Sequence, residues 1–180
     1  MIRSVNGDDC EAIAEIYNDY VVNSTATFET EPITAEEMRG RISSIYPAFP
    51  YFVYEEDGKI RGYCYAHAWK ERAAYSKTLE TTVYIADKYR GRGIGKILVS
   101  RLIDECRKRG YEVLVACITA ENKASCEMHL KMGFKQVSLF EGVGIKFGRH
   151  LDVADFTLDL TSRATASKSE KKSTGFIMPT

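Results

Sequence analysis

Three basic side chains and three glycines fall within the run Arg90-Gly91-Arg92-Gly93-Ile94-Gly95-Lys96. A β-branched and aromatic stretch, Val83-Tyr84-Ile85, leads into it, and apolar residues at helical spacing (Ile94, Ile97, Leu98, Leu102, Cys106) follow. That order sets a row of free backbone N–H groups at a helix N-terminus, where partial positive charge collects and phosphate or pyrophosphate binds. Glycine lets a ligand approach the backbone closely. Clustered basic side chains repel one another without an anion, so the run reads as a phosphate site and not only as a tight turn. A Walker A loop requires Gly where Arg90 stands and Ser or Thr where Ile97 stands, so a P-loop NTPase is excluded. The spacing Gly91-x-Gly93-x-Gly95 also fails the dinucleotide fingerprint. What remains is a basic residue and a Gly-x-Gly that opens a helix.

Other chemistry-bearing side chains are scattered. Cys126 and His129 have the spacing of two metal ligands, but no second pair lies at zinc-site distance, so no metal is expected. Cys126 as an acyl-carrying nucleophile lacks an orienting third group. The five cysteines suit a reducing cytoplasm, and no signal peptide or membrane-spanning run is visible. The 25 basic and 25 acidic residues cancel, which disfavours nucleic acid or an anionic membrane as a partner.

The elements that must position these residues follow from periodicity and caps. Ile2 to Val5 reads as a strand, and Asp8 or Asp9 caps a helix carrying Ile13, Ile16, Tyr17, Tyr20 and Val21. Thr34 to Glu37 is a capping box before a second helix with Met38, Ile42 and Ile45, ended by Pro47 and Pro50. Tyr51 to Tyr54, the turn Asp57-Gly58 and Ile60 to Ala68 form a hairpin. A strand over about 78–86 precedes the glycine turn, and Gly110 stops the helix after it. Val113 to Ile118 is apolar almost throughout, as in a strand covered on both faces. A helix over 123–131, with Asn122 at its N-cap and Gly133 at its C-cap, precedes strands at about 135–140 and 153–160. One domain over 1–160 is expected, with 161–180 a disordered or added tail. The order βααβββαβαββ alone supports only an α+β or mixed α/β fold.

The run Arg90-x-x-Gly93-x-Gly95 resembles the acetyl-CoA loop of the GCN5-related N-acetyltransferase (GNAT) superfamily. Asn122 with His129-Leu130-Lys131-Met132-Gly133-Phe134 resembles its second cofactor segment. Ala26 to Pro32, Arg72 to Tyr75, Thr78 to Tyr84 and Gly144 to Arg149 are similar to the phosphinothricin and methionine sulfoximine N-acetyltransferase family. The resemblance spans about residues 2–160. It implies a mixed, curved sheet with helices on both faces and two splayed central strands, acetyl-CoA as co-substrate, a homodimer, and acetylation of the α-amine of a small amino acid or analogue by direct transfer. Methionine sulfoximine, methionine sulfone and phosphinothricin are the implied acceptors.

The resemblance also assigns roles. Glu80 is the general base that takes the amine's proton, directly or through water. Backbone N–H groups near Val83, Tyr84 and Ile85 hold pantetheine and the oxyanion. Arg90, Gly91, Arg92, Gly93, Ile94, Gly95 and Lys96 hold the pyrophosphate, with Asn122 beside the pantetheine. His129 protonates the leaving thiolate, or is simply a satisfied, partly buried helical histidine. Arg72 clamps the acceptor carboxylate, Tyr75 supplies a hydroxyl or an apolar wall, Phe28 lids the side chain, and Lys146 reaches an anionic or sulfoxide oxygen. The blander readings are a core anchor for Phe28 and solvated charges for Arg72 and Lys146. His150 and Ile145 depart from the family pattern on the substrate side, which leaves the accepted amino acid open. The rivals are a GNAT enzyme for a peptide N-terminus, polyamine or aminoglycoside, a non-catalytic acyl-CoA-binding module, and a nucleic-acid-binding domain.

Overall fold

The computed structural model describes residues 1–161. Seven strands form one sheet in the order β1-β2-β3-β4-β5-β7-β6, antiparallel except for the central β4–β5 pair. β1 (Ile2–Ser4) leads to α1 (Cys10–Asn23) and α2 (Ala35–Ile45). Then come the hairpin β2 (Tyr51–Glu56) and β3 (Lys59–Ala68), and β4 (Thr78–Ile85). α3 (Ile94–Lys108), β5 (Val113–Thr119), α4 (Lys123–Lys131), β6 (Lys135–Lys146) and β7 (Arg149–Asp159) complete the chain. The fold is a mixed α/β sheet with helices on both faces, as the family resemblance implies. The expected tail lies outside the described residues, apart from Thr161. Among the described residues no helix is long and apolar enough to cross a membrane.

Alternation along the strands sorts the core into two layers. Tyr51, Val53 and Tyr63 face α1 and α2, where Ile13, Tyr17, Val21 and Ile42 are buried. Phe52, Cys64, Leu79, Leu114, Ala116 and Phe156 face α3, where Leu98, Leu102 and Cys106 are buried. The Thr34–Glu37 capping box forms in both directions. The cap before α1 differs from expectation: Asn6 accepts from Asp8 N, while the Asp9 carboxylate accepts from Asn6 N and holds Arg3 through two bonds of 2.8 Å. The Asp57-Gly58 turn has φ of 53° and 69°, the left-handed pair that a two-residue hairpin demands.

The last two strands are longer than 135–140 and 153–160. They form one hairpin turning at Phe147-Gly148, with φ of 50° and 69°. A register shift between Phe140 and Gly144, with Gly142 at φ 63°, breaks the alternation that would have marked the strand.

The centre of the sheet carries the feature that matters most. β4 and β5 pair only at Thr78↔Val113, Leu79↔Leu114 and Glu80↔Val115. Beyond that, β4 follows β3 as far as Ile85 and β5 follows β7 as far as Thr119, so the two part. The Thr81 hydroxyl, donating to the Val115 carbonyl at 3.2 Å, is the last link across the fork.

Candidate active site

A cleft of about 1180 Å³ runs through this fork. The α1–α2 loop, the end of β4, the glycine turn, the end of β5 and one face of α4 line it. Successive backbone N–H groups of a strand point to opposite sides. Ala86 N–H donates to Arg61 O of the β3 side (2.8 Å), and Ile85 N–H points the other way, to the Tyr20 hydroxyl (3.2 Å). By that parity Tyr84 N–H turns to β3 and Val83 N–H turns into the fork. Of the three residues expected to offer donors, Val83 is therefore placed to do so. Tyr84 is a correction: its backbone serves the ladder and its ring packs on Tyr17 and Tyr20. Ile85 is a second correction, since Tyr20 both accepts from its N–H and donates to its carbonyl at 2.7 Å.

At the far end of the cleft Gly93, at φ 79°, is the N-cap of α3 and offers no side-chain cap. The first N–H groups of α3 are thereby left for a ligand, and the donor set fits a pyrophosphate. Gly95 has a packing reason as well, because a Cβ there would stand 3.2 Å from Met128 S of α4. Ile94 is buried and faces the core, so only its backbone is offered to the cleft. Gly91, Arg90 and Lys96 line the cleft. The Arg90 guanidinium lies 4.4 Å from the Tyr20 ring centre and 3.4 Å from Asp87. Arg92 is a correction: its two nitrogens reach Glu56 at 3.0 and 3.1 Å and it stacks on Tyr89, outside the cleft lining. Arg90 and Arg92 are thus each paired with carboxylates of the protein itself, which relieves part of the repulsion without an anion. Asn122 lines the cleft while its side-chain oxygen caps α4 by accepting from Ser125 N at 3.2 Å.

Glu80 sits at the last register pair before the fork and lines the cleft. Burial raises its carboxyl above the ordinary glutamate range; His67 opposes this and Asp155 adds to it. Next to it β5 is not covered on both faces as expected: Cys117 is exposed to the cleft. Its thiol is pushed up to about 12 by burial of the sulfur and by Asp155, so it stays protonated at neutral pH. Phe28 lines the same end, 39% exposed, with its ring against Gly144.

Lys146 is the largest correction. It is buried, and its ammonium donates to the carbonyls of Ser24 (2.7 Å), Thr27 (2.9 Å) and Tyr20 (3.4 Å). It is neither a solvated charge nor a hand reaching for substrate; it ties the end of α1 to the loop that bears Phe28. Arg72 and Tyr75 lie in the β3–β4 connection, outside the cleft lining. Arg72 is exposed, and Tyr75 packs edge-on against Trp69 at 5.1 Å.

His129 is 3% exposed and lines the cleft from α4. Its Nδ1 lies 2.8 Å from the Ser125 carbonyl, which can only accept, so Nδ1 carries a proton. Burial lowers its proton affinity, so the ring is neutral at pH 7 with a lone pair on Nε2. Of the two sequence readings, the geometry fits the satisfied helical histidine better than the acid.

Tyr20, Cys117 and Thr119 entered no functional expectation, yet all line the cleft. Tyr20 was legible only as an apolar helix position, while Cys117 and Thr119 follow from Glu80 once strand register is known. Among the described residues no three His, Cys, Asp or Glu side chains gather to hold a metal.

With this geometry in place, known proteins are informative. The profile of the acetyltransferase (GNAT) domain family matches residues 2–154. The chain is 41% identical over 153 residues to phosphinothricin N-acetyltransferase of Alcaligenes faecalis, covering 84% of this chain and 78% of that one. It is 35% identical over 164 residues to the L-methionine sulfoximine/L-methionine sulfone acetyltransferase of Salmonella typhimurium, covering 91% and 96%. A crystal structure of a GNAT phosphinothricin acetyltransferase from Sinorhizobium meliloti in complex with acetyl-CoA superposes with a TM-score of 0.86 at 35% identity, covering 88% and 87%. The chain belongs to the GNAT family of acetyltransferases.

Proposed function

We propose that the protein transfers the acetyl group of acetyl-CoA to the α-amine of a small amino acid or analogue, with methionine sulfoximine, methionine sulfone and phosphinothricin as candidate acceptors. The observation that carries the reading is the place of Glu80: a half-buried carboxylate at the apex of the β4–β5 fork, in a cleft whose other end is the uncapped N-terminus of α3. Bound acetyl-CoA supplies the thioester. Arg90, Lys96 and the N–H groups from Gly93 to Lys96 hold its pyrophosphate, and Val83 offers a backbone donor beside the thioester. An acceptor α-amine is mostly protonated at neutral pH, and Glu80 takes that proton so that the nitrogen lone pair is free to attack. Transfer is direct: Cys117 and Cys126 keep their protons and form no acyl-enzyme.

Phe28 closes over the acceptor side chain. Arg72 and Tyr75 have no place in the cleft of one subunit. A homodimer is supported by the apolar side chains exposed on the β6–β7 hairpin, among them Val137, Leu139, Val143, Ile145 and Phe147. The unpaired state of all five cysteines supports the cytoplasm as its location.

The test is thiol release from acetyl-CoA against a panel of amino acids. Glu80→Gln is expected to lower kcat by roughly 10²–10⁴ with coenzyme A affinity nearly unchanged. Wild-type turnover in that variant would remove Glu80 as the base.

A further inference from the structure

Glu80 stands in a line of polar side chains that crosses the acceptor face of the sheet. On β3 its register partner is His67, so the two side chains rise from the same face with Cβ atoms about 5 Å apart. On β5 its partner is Val115; Cys117, two residues on, shares that face and is the register partner of Asp155 on β7. The titratable groups that face Glu80 are then His67 and Tyr65 from β3, Cys117 from β5 and Asp155 from β7. From the helical side, the Glu29–Arg41 ion pair stands by Tyr65 and not by Glu80. Tyr65 and Cys117 keep their protons at neutral pH, both held up by burial, which leaves His67 and Asp155 as the groups able to change the state of Glu80.

The His67 ring is oriented. Its Nδ1 lies 2.9 Å from the Ala68 carbonyl, which only accepts, so Nδ1 carries the proton and the neutral ring keeps its lone pair on Nε2. The ring is half-buried, and Ala68 beside it is exposed, so the ring beside Glu80 has its own access to solvent. Asp155 is fixed from the other side by the Ser138 hydroxyl at 3.0 Å.

The overall reaction creates a need for such a group. An ammonium acceptor and a thioester give an amide, a thiol and one proton: of the two N–H protons lost, one ends on sulfur and the other must leave the site. Glu80 is half-buried in the cleft, and a neighbouring base gives that proton a second way out.

We propose that His67 is the proton exit of the site and Asp155 its electrostatic counterweight. The N–H bond of the acceptor breaks as an O–H bond forms on Glu80. That O–H bond then breaks as an N–H bond forms on His67 Nε2, directly or through one water, and the imidazolium returns the proton to solvent. The Asp155 carboxylate disfavours a second negative charge on Glu80, so the proton is held long enough to be relayed and does not fall back to the acceptor. This rests on Glu80 being the base.

The experiment measures acetylated methionine sulfone formed by full-length His67→Ala, Asp155→Asn and Glu80→Gln, with and without added imidazole, across pH. His67→Ala is expected to lose about tenfold or more in kcat while its coenzyme A affinity stays unchanged, and imidazole in solution restores it. Asp155→Asn is expected to move the acid limb of the kcat/KM profile to lower pH, since removal of the like charge lets Glu80 ionise more readily. A His67→Ala enzyme with wild-type kcat, or with a loss that imidazole does not relieve, overturns the relay where Glu80→Gln is impaired. Wild-type turnover of Glu80→Gln overturns the base reading instead. If His67→Ala does not fold, an unmoved acid limb in Asp155→Asn still overturns the proposal.

Discussion

The ring of Phe28 occupies the space in which a side chain at Gly144 would stand: a Cβ built there overlaps the ring edge. A loop residue between two helices and a strand residue more than a hundred positions later thus define each other's position. Gly144→Ala is expected to displace the ring from the acceptor end of the cleft. Acceptor KM should rise about tenfold or more, with coenzyme A affinity held, as misplacement of a positioning group costs productive geometry. Steady-state kinetics with each substrate varied separately checks this.

Lys146 fastens that same loop by three carbonyls. Lys146→Met leaves them without their donor and is expected to destabilise the fold by about 1–3 kcal/mol, read from urea unfolding. Because the ammonium is held by backbone carbonyls and lies outside the cleft lining, any rise in KM should be equal for phosphinothricin and for methionine sulfone. A selective loss on the anionic acceptor would restore Lys146 to the substrate site.

Arg90 and Arg92, two residues apart, are sent in different directions. Arg92→Ala breaks an exposed pair with Glu56 and is expected to leave coenzyme A affinity within about twofold, since such pairs contribute little. Arg90→Ala removes a cation from the cleft lining and is expected to weaken affinity several-fold more, with a reduced salt dependence. Isothermal titration with coenzyme A separates the two.

Burial raises the Glu80 carboxyl, with His67 opposing and Asp155 assisting. A base works only when ionised, so kcat/KM should fall as pH drops through this raised value. The acid limb is expected above the about 4.3 of an unperturbed glutamate. A pH profile with methionine sulfone measures it.

Asp9 is 5% exposed, and although burial alone would raise its carboxyl, Arg3 and the Asn6 N–H outweigh this and hold it low. A carboxyl with a lowered folded-state pKa stabilises the fold fully above its unfolded value of about 3.9, and that stability is lost as pH falls through the folded value. Asp9→Ala is expected to cost about 1–3 kcal/mol near neutral pH, because it leaves Arg3 with Glu55 and Ser4 as its remaining partners and removes the cap of the first turn. The difference from wild type should shrink below pH of about 3.9 in urea unfolding.

What could be read from the chain beforehand was what neighbouring residues decide among themselves. The Thr34 capping box, the Asp57-Gly58 turn and the glycine turn into α3 each complete their chemistry within a few positions, and all formed as expected. What escaped depends on distant partners. Arg92 meets Glu56, 36 positions earlier, and Lys146 meets Thr27, 119 positions earlier, so neither destination has a local signal. Both final strands were legible, but the full length of the β6–β7 hairpin escaped for a different reason: its bulge erases the alternation by which a strand is recognised, and its turn places Phe147 at a positive φ that its residue type does not announce. The acceptor end of the cleft suffered most, being assembled from α1 and the loop after it, β4, β5 and β7 together.

The fork between β4 and β5 has a thermodynamic consequence. Among the described residues β4 and β5 share only three register pairs, with the Thr81 hydroxyl adding a bond to the Val115 carbonyl, and beyond them each half of the sheet presents an inner edge. On the proposed function, a pantetheine chain lying on Val83 would add to such an edge as an extended peptide does in β-augmentation. The co-substrate would then act as a removable rung of the fold. Binding to the native state alone would make its free concentration set part of the stability through mass action, and the melting temperature is then expected to rise with acetyl-CoA supply.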